Sequence, residues 1–169
     1  PPPPLFHAPA PPQIYTTAKS SAASDVYKRQ MNVCRELDVA IVPYSPLGRG
    51  FLTGKLTTPE QFGERDYRAD IPLFEAENFE ANFKIVEELE KIAVSKKCKA
   101  SQVALAWLNA QGDDVFPIPG TKRRTYLKEN IDSLKIILNR EEINKINDLS
   151  KGVQGKRKND EGMKLVDRS

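Results

Sequence analysis

With 169 residues, 39% of them apolar and 29% charged, the chain has the composition of one soluble globular domain. No run approaches the roughly 18 to 20 consecutive apolar residues of a membrane-spanning helix, and the start lacks the layout of a secretory signal, so a cytoplasmic protein without a membrane partner is expected. The net charge of +3 sits at the ends, with three cations against one anion in residues 1–30 and six against three in residues 151–169. The body carries a slight excess of anions, which argues against a nucleic-acid partner.

In chain order, the first twelve residues, PPPPLFHAPAPP, hold seven of the thirteen prolines and favour an extended polyproline conformation. QIYTTAKSSAASDVYKRQ follows without sustained periodicity, and its second part resembles translated adapter sequence. Residues 1–30 are therefore expected to form no fold, being either foreign to the gene or a disordered leader. From Met31 the pattern changes: CRELDVAIVPYSPLGRG reads as the end of a helix, a buried strand over Val39 to Tyr44, and a turn of proline and glycine. Thr53 to Pro72 keeps no period and reads as a long surface loop, most polar from Asp66 to Asp70.

Phe79, Phe83, Val86, Leu89 and Ala93, joined by Ile85 and Ile92, predict a helix over Asn78 to Lys97. Val103, Ala104, Leu105, Trp107 and Leu108 predict another from Ser101 to Gln111, ended by Gly112. A short strand over Phe116 to Ile118 comes next, bounded by prolines. Leu127, Ile131 and Leu134 line one face of the following helix, and Asn139 with Glu142 spells a capping box opening a last one that carries Ile143, Ile146 and Leu149. Strands alternating with helices predict an α/β protein with parallel strands, yet a parallel sheet needs more members than two, so this is expected to be a piece of something larger.

Two loops follow the strands at their carboxyl ends, where parallel α/β folds bind ligands. Ser45-Pro46-Leu47-Gly48-Arg49-Gly50 combines a hydroxyl, a cation and glycines that admit an anion close to the backbone, although a plain turn has the same composition. Gly120-Thr121-Lys122-Arg123-Arg124 crowds three cations at a helix N-terminus, where like charge opposes the helix dipole and a bound anion would relieve it. Glu129 and Asn130 lie two turns on, placed to hydrogen-bond a purine or ribose. Catalytic machinery is missing from the pattern. The one histidine, His7, lies in the proline-rich leader; no Ser/His/Asp set or metal-ligand cluster assembles; and Cys34 and Cys98 read as inert thiols. Asp113 and Asp114 read as turn residues.

VPYSPLGRGFLTGK, then SQVALAWLNAQ, then FPIPGTKRRTYLKENI together resemble the C-terminal part of the aldo-keto reductases, in the branch that includes plant and fungal reductases, pyridoxal reductases and potassium-channel beta subunits. The resemblance covers about Met31 to Arg168. It implies a (β/α)8 TIM barrel, with Val39 to Tyr44 as its seventh strand and Phe116 to Ile118 as its eighth, and an NADP(H) cofactor. It further implies that Tyr44 stacks on the nicotinamide and that Ser45, Leu47, Gly48 and Arg49 hold the pyrophosphate. Gly120, Thr121, Lys122 and Arg123 would reach the 2′-phosphate, and Glu129 with Asn130 the adenine. Where many members carry arginine or glutamine at the adenosine end, this chain has Tyr126. The family's catalytic Asp, Tyr, Lys and His come from earlier strands, and nothing before Met31 matches them. The resemblance thus implies a fragment, 31–169, of an enzyme that reduces aldehydes or ketones, retaining the cofactor's seat without the tetrad; the alternative is a non-catalytic NADP-binding subunit of the channel type.

Overall fold

A computed structural model describes residues 31–155, so the leader and the tail beyond Gly155 lie outside the described residues. Residues 31–36 are helical and lead into an extended segment that pairs with a second one in parallel. The pairing is the one expected, but it consists of isolated bridges, Ile41 with Val115 and Tyr44 with Ile118, where two strands were anticipated. Proline explains the difference. The Ile41 amide donates to Asp114 O at 2.7 Å, the Phe116 amide to Ile41 O at 2.8 Å and the Ile118 amide to Pro43 O at 3.3 Å. The rung that should run back from residue 43 is absent because Pro43 has no N–H. Pro117 and Pro119 alternate with the bonded residues, so the opposite edge of that segment has no donor at either position.

Beyond residues 31–36 the described α-helices are α1 (Ala76–Lys96), α2 (Ala100–Asn109), α3 (Arg124–Asp132) and α4 (Arg140–Lys151). The core lies mainly between α1, α2 and α4, where Val86, Leu89, Val103 and Ile146 are buried. Two polar devices within it set the packing. Glu88, almost enclosed, receives Lys145 of α4 at 2.7 Å. Asn82 donates to Leu73 O at 3.3 Å and Gln154 O at 2.8 Å and accepts from the Gln154 amide at 2.5 Å, fastening the chain after α4 to the base of α1. The capping box is present as read: the Glu142 amide donates to Asn139 Oδ1 at 2.9 Å and the Asn139 amide to Glu142 Oε2 at 2.7 Å.

The segment 53–72 is less of a loop than its composition suggests. It folds into single 3-10 turns, Pro59–Gln61 and Tyr67–Asp70, and a further turn, Pro72–Phe74, follows directly. Ile71, Leu73 and Phe74 are core residues. The apolar face of α3 differs too: Leu127 and Ile131 are about half exposed, and Leu134, beyond the helix end in the turn Ser133–Lys135, is more so.

The turn Gly48–Thr53 continues the first predicted loop, and its backbone is unusual. Ser45, Gly48, Arg49 and Gly50 all take positive φ, at 50°, 56°, 55° and 95°. For Ser45 and Arg49 that conformation is strained, by about 1 kcal/mol or more each, and must be held from outside. Phe51, 2% exposed, does so by sinking into a ring cluster, 5.1 Å from Phe79 and 5.9 Å from Phe74 between centroids, edge to face. Arg68 holds it from the other side: its Nη1 donates to Arg49 O at 2.9 Å while its Nε and Nη2 grip Asp66, with a shortest contact of 2.5 Å.

Two stability predictions follow from these contacts. Asn139→Ala should lower the unfolding free energy by about 1 kcal/mol, read from urea melts, since an amide at the α4 start loses its acceptor. The Asp66 carboxyl is held below its ordinary pKa, chiefly by the Arg68 hydrogen bond and against the opposing effect of burial. A depressed carboxyl contributes stability above its unfolded pKa and loses it as pH falls through the folded one. Amide protection at Gly48 to Leu52 should therefore persist as pH drops through the ordinary aspartate range and fail below it, whereas Asp66→Asn should weaken it already at neutral pH. Equal exchange in the two proteins would show that Arg68 does not brace this turn.

Candidate cofactor site

Beyond the bridges the two loops diverge and enclose a cavity of about 680 Å³. Its wall includes Tyr44, Ser45, Leu47 and Arg49 from the first loop, Gly120 and Thr121 from the second, and Glu129 and Asn130 from α3. These eight expected residues, drawn from segments some 75 positions apart, are thus brought to one space by the parallel pairing at Tyr44 and Ile118. Three expected residues stand elsewhere. Gly48 is buried beneath the turn, where a Cβ would meet Leu52 at 3.5 Å. Lys122 and Arg123 line an adjoining hollow of about 650 Å³ that shares Gly120, Thr121 and Tyr126 with the first.

The second loop enters α3 through a turn held by Thr121. Arg123 is the N-cap of α3 and supplies no side-chain cap. The Arg123 amide donates to Thr121 Oγ1 at 3.2 Å, fixing the loop, while the following amides of the first turn are left to an outside acceptor. Lys122 makes no ion pair with any of the described residues, so its charge adds to the helix dipole unopposed. Same-sign charge collected at a helix start is what a dianionic ligand offsets.

Other residues reach the cavity that the sequence reading did not single out: Lys55, Tyr67, Arg68, Lys99 and Ser101, with Tyr126 noted only as a departure. Lys55 belongs to the quoted motif GRGFLTGK, but nothing local indicates that its ammonium turns to α3, where it donates to Tyr126 Oη at 2.5 Å. Lys99, just before α2, forms an ion pair with Glu129, and Gln102 donates to Glu129 O at 3.0 Å. These contacts hold the Glu129 end of α3 against α2, with the apolar residues of that helix half exposed. Asp114, read as a turn residue, also receives Arg35 Nε at 2.8 Å, which lowers its pKa chiefly through that hydrogen bond. Cys34 and Cys98 are both free thiols.

Among the described residues no three of the His, Cys, Asp and Glu side chains gather as a metal site, and no helix is long and apolar enough to cross a membrane. Val42, Phe116 and Ile118 on the paired segments are more than half exposed. A parallel pair ordinarily buries both faces, so this exposure has the character of part of a larger sheet.

Comparison with known proteins agrees. The model of the aldo/keto reductase family matches residues 8–151. The chain is 51% identical over 108 residues to an aldo-keto reductase of Schizosaccharomyces pombe, yakc [NADP(+)], a stretch that is 64% of this chain and 32% of that protein. It is 41% identical over 139 residues to the aldo-keto reductase str7 of Strobilurus tenacellus, 81% of this chain and 41% of that protein. Its fold superposes on a glycerol dehydrogenase of Gluconobacter oxydans with a TM-score of 0.64 at 22% identity, over 78% of this chain and 46% of that one. The chain thus spans about a third to two fifths of the length of the curated relatives it matches, and its described residues form a mostly helical part of a reductase barrel. With the family model covering most of its length and two fungal reductases matching 64% and 81% of it, this chain belongs to the aldo/keto reductase family.

Proposed function

We propose that residues 31–169 are the C-terminal part of an NADP(H)-dependent aldo-keto reductase domain and supply its cofactor seat, with the paired segments as the seventh and eighth barrel strands. The observation that carries the reading is that a glycine turn with left-handed backbone and an uncapped, cation-rich helix start border two adjoining hollows that share Gly120, Thr121 and Tyr126. Its donor set fits the cofactor: cations and open amides for phosphates, a ring at the strand end for a planar group, and a carboxylate and amide for a purine. Tyr44, at the end of the bridge, would face the nicotinamide; Ser45, Leu47, Gly48 and Arg49 the pyrophosphate; Gly120, Thr121, Lys122 and Arg123 the 2′-phosphate; Glu129 and Asn130 the adenine. When bound, NADPH supplies the hydride that reduces an aldehyde or ketone. This chain's residues bind and orient; no residue of 31–155 is assigned the acid that protonates the carbonyl oxygen, a role the resemblance gives to earlier strands of the barrel.

Titration calorimetry of the chain with NADP+ and NAD+ tests the seat. The wild-type chain should prefer NADP+, and replacing Lys122 and Arg123 together by alanine should weaken NADP+ by about tenfold or more while leaving NAD+ nearly unchanged, since each charge-assisted bond contributes about 1.5 to 3 kcal/mol before solvent screening. Equal weakening of both would assign the pair to the pyrophosphate or to the helix. The chain alone should not consume NADPH in the presence of a generic aldehyde above a protein-free control, and measurable turnover would place an acid within it.

A further inference from the structure

Resting on the reading of this cavity as an NADP(H) seat, we infer that Tyr126 is a positioning residue that draws Lys55 of the first loop and Arg123 of the second onto one anion, the 2′-phosphate, and so sets the preference for NADP(H) over NAD(H). Lys55 and Tyr126 are 71 residues apart, yet the ammonium donates to Tyr126 Oη at 2.5 Å and stands 4.3 Å from the ring centroid. Arg123 approaches the same ring, its guanidinium carbon 5.4 Å from the centroid and its Nη1 donating to Oη at 3.4 Å. Tyr126 belongs to both hollows, lining the larger with Lys55 and the smaller with Lys122 and Arg123.

The chemistry of that oxygen points to an anion. A phenol oxygen has two lone pairs and one proton. Here both lone pairs face cationic donors, so the proton is left to donate elsewhere, and the two cations repel across a neutral atom. A phosphate oxygen placed there would accept from the ammonium, the guanidinium and the phenol at once. The ring contributes as well, since its face attracts both cations and holds two long side chains that would otherwise sample many rotamers. Hydrogen bonding by Lys55, aided by its charge, lowers the phenol's pKa and strengthens it as a donor. No acidic side chain takes part in this cluster: Glu129, one turn on, is committed to Lys99, while Asp66 is committed to Arg68. Tyrosine therefore replaces a directly binding cation with a device that gathers two cations from other positions.

The test is a double-mutant cycle of Lys55→Met and Tyr126→Phe in the chain, with NADP+ and NAD+ as probes in calorimetry. Lys55 is exposed and Tyr126 partly so, and circular dichroism of each variant checks that the helices remain. Lys55→Met should lower the NADP+ to NAD+ preference by about tenfold, the loss of one charge-assisted bond. Tyr126→Phe, which keeps the ring and loses the hydroxyl, should lower it severalfold, and Tyr126→Leu should lower it further. In the double variant the losses should be less than additive for NADP+, showing that the two residues act together, and absent for NAD+. If the wild-type chain shows no preference at all, the cofactor reading itself fails. A clear wild-type preference that survives Lys55→Met and Tyr126→Phe would leave that reading standing and overturn this inference, as would equal weakening of both cofactors, which would place Lys55 on the pyrophosphate.

Discussion

The burial of Phe51 is the contact on which the candidate site rests. A turn with four left-handed residues among six, two of them carrying side chains, does not hold its shape by local preference. Enclosing a phenylalanine side chain is worth roughly 2 to 3 kcal/mol, of the same order as the backbone strain. Phe51 follows the strained residues directly and docks between Phe74 and Phe79, so the core that forms around α1 also fixes the backbone facing the cavity. The bond from Arg68 to the Arg49 carbonyl adds direction, because it satisfies an oxygen whose peptide is turned by the left-handed residue.

Charge is the second constraint. Arg49, Lys55, Arg68, Lys99, Lys122 and Arg123 border the two hollows, while Glu129 is the acidic side chain in their walls. Some of these cations are already engaged: Arg68 by Asp66, Lys99 by Glu129 and Lys55 by a phenol. Arg123 meets the same phenol as Lys55, whereas Lys122 makes no ion pair with any of the described residues. Lys122 and the first amides of α3 lie at the positive end of a helix dipole, which adds to the positive charge where the second loop turns. The cations come from both loops and from the approach to α2.

Much of this was legible in the sequence, for a physical reason. Helical periodicity and capping are local, so α1 was readable from Phe79 to Ala93, and the start of α4 from Asn139 and Glu142, whose reciprocal bonds span three residues. Loop chemistry is local as well: the glycines of the first turn and the cations at the start of α3 stood out before any fold was known, and both border the paired hollows. The prolines were visible too, but their effect was not, because whether Pro43 deletes a rung depends on which residue lies opposite, and Asp114 and Phe116 are more than 70 positions away.

The sequence by itself determined the helices, the two glycine- and cation-bearing loops and the membership of the family, since each rests on spacing within a few residues or on ordered motifs. Only the tertiary structure decided that segment 53–72 folds into turns and that Lys55, Arg68 and Lys99 belong to the site. It also decided that Tyr126 stands between two cations and that the apolar face of α3 is left half exposed. The reason is range. A lysine in a polar loop reads the same whether it meets water or a phenol 71 residues on, and the difference arises only when Phe51 and the parallel pair bring the two loops to opposite walls of one cavity.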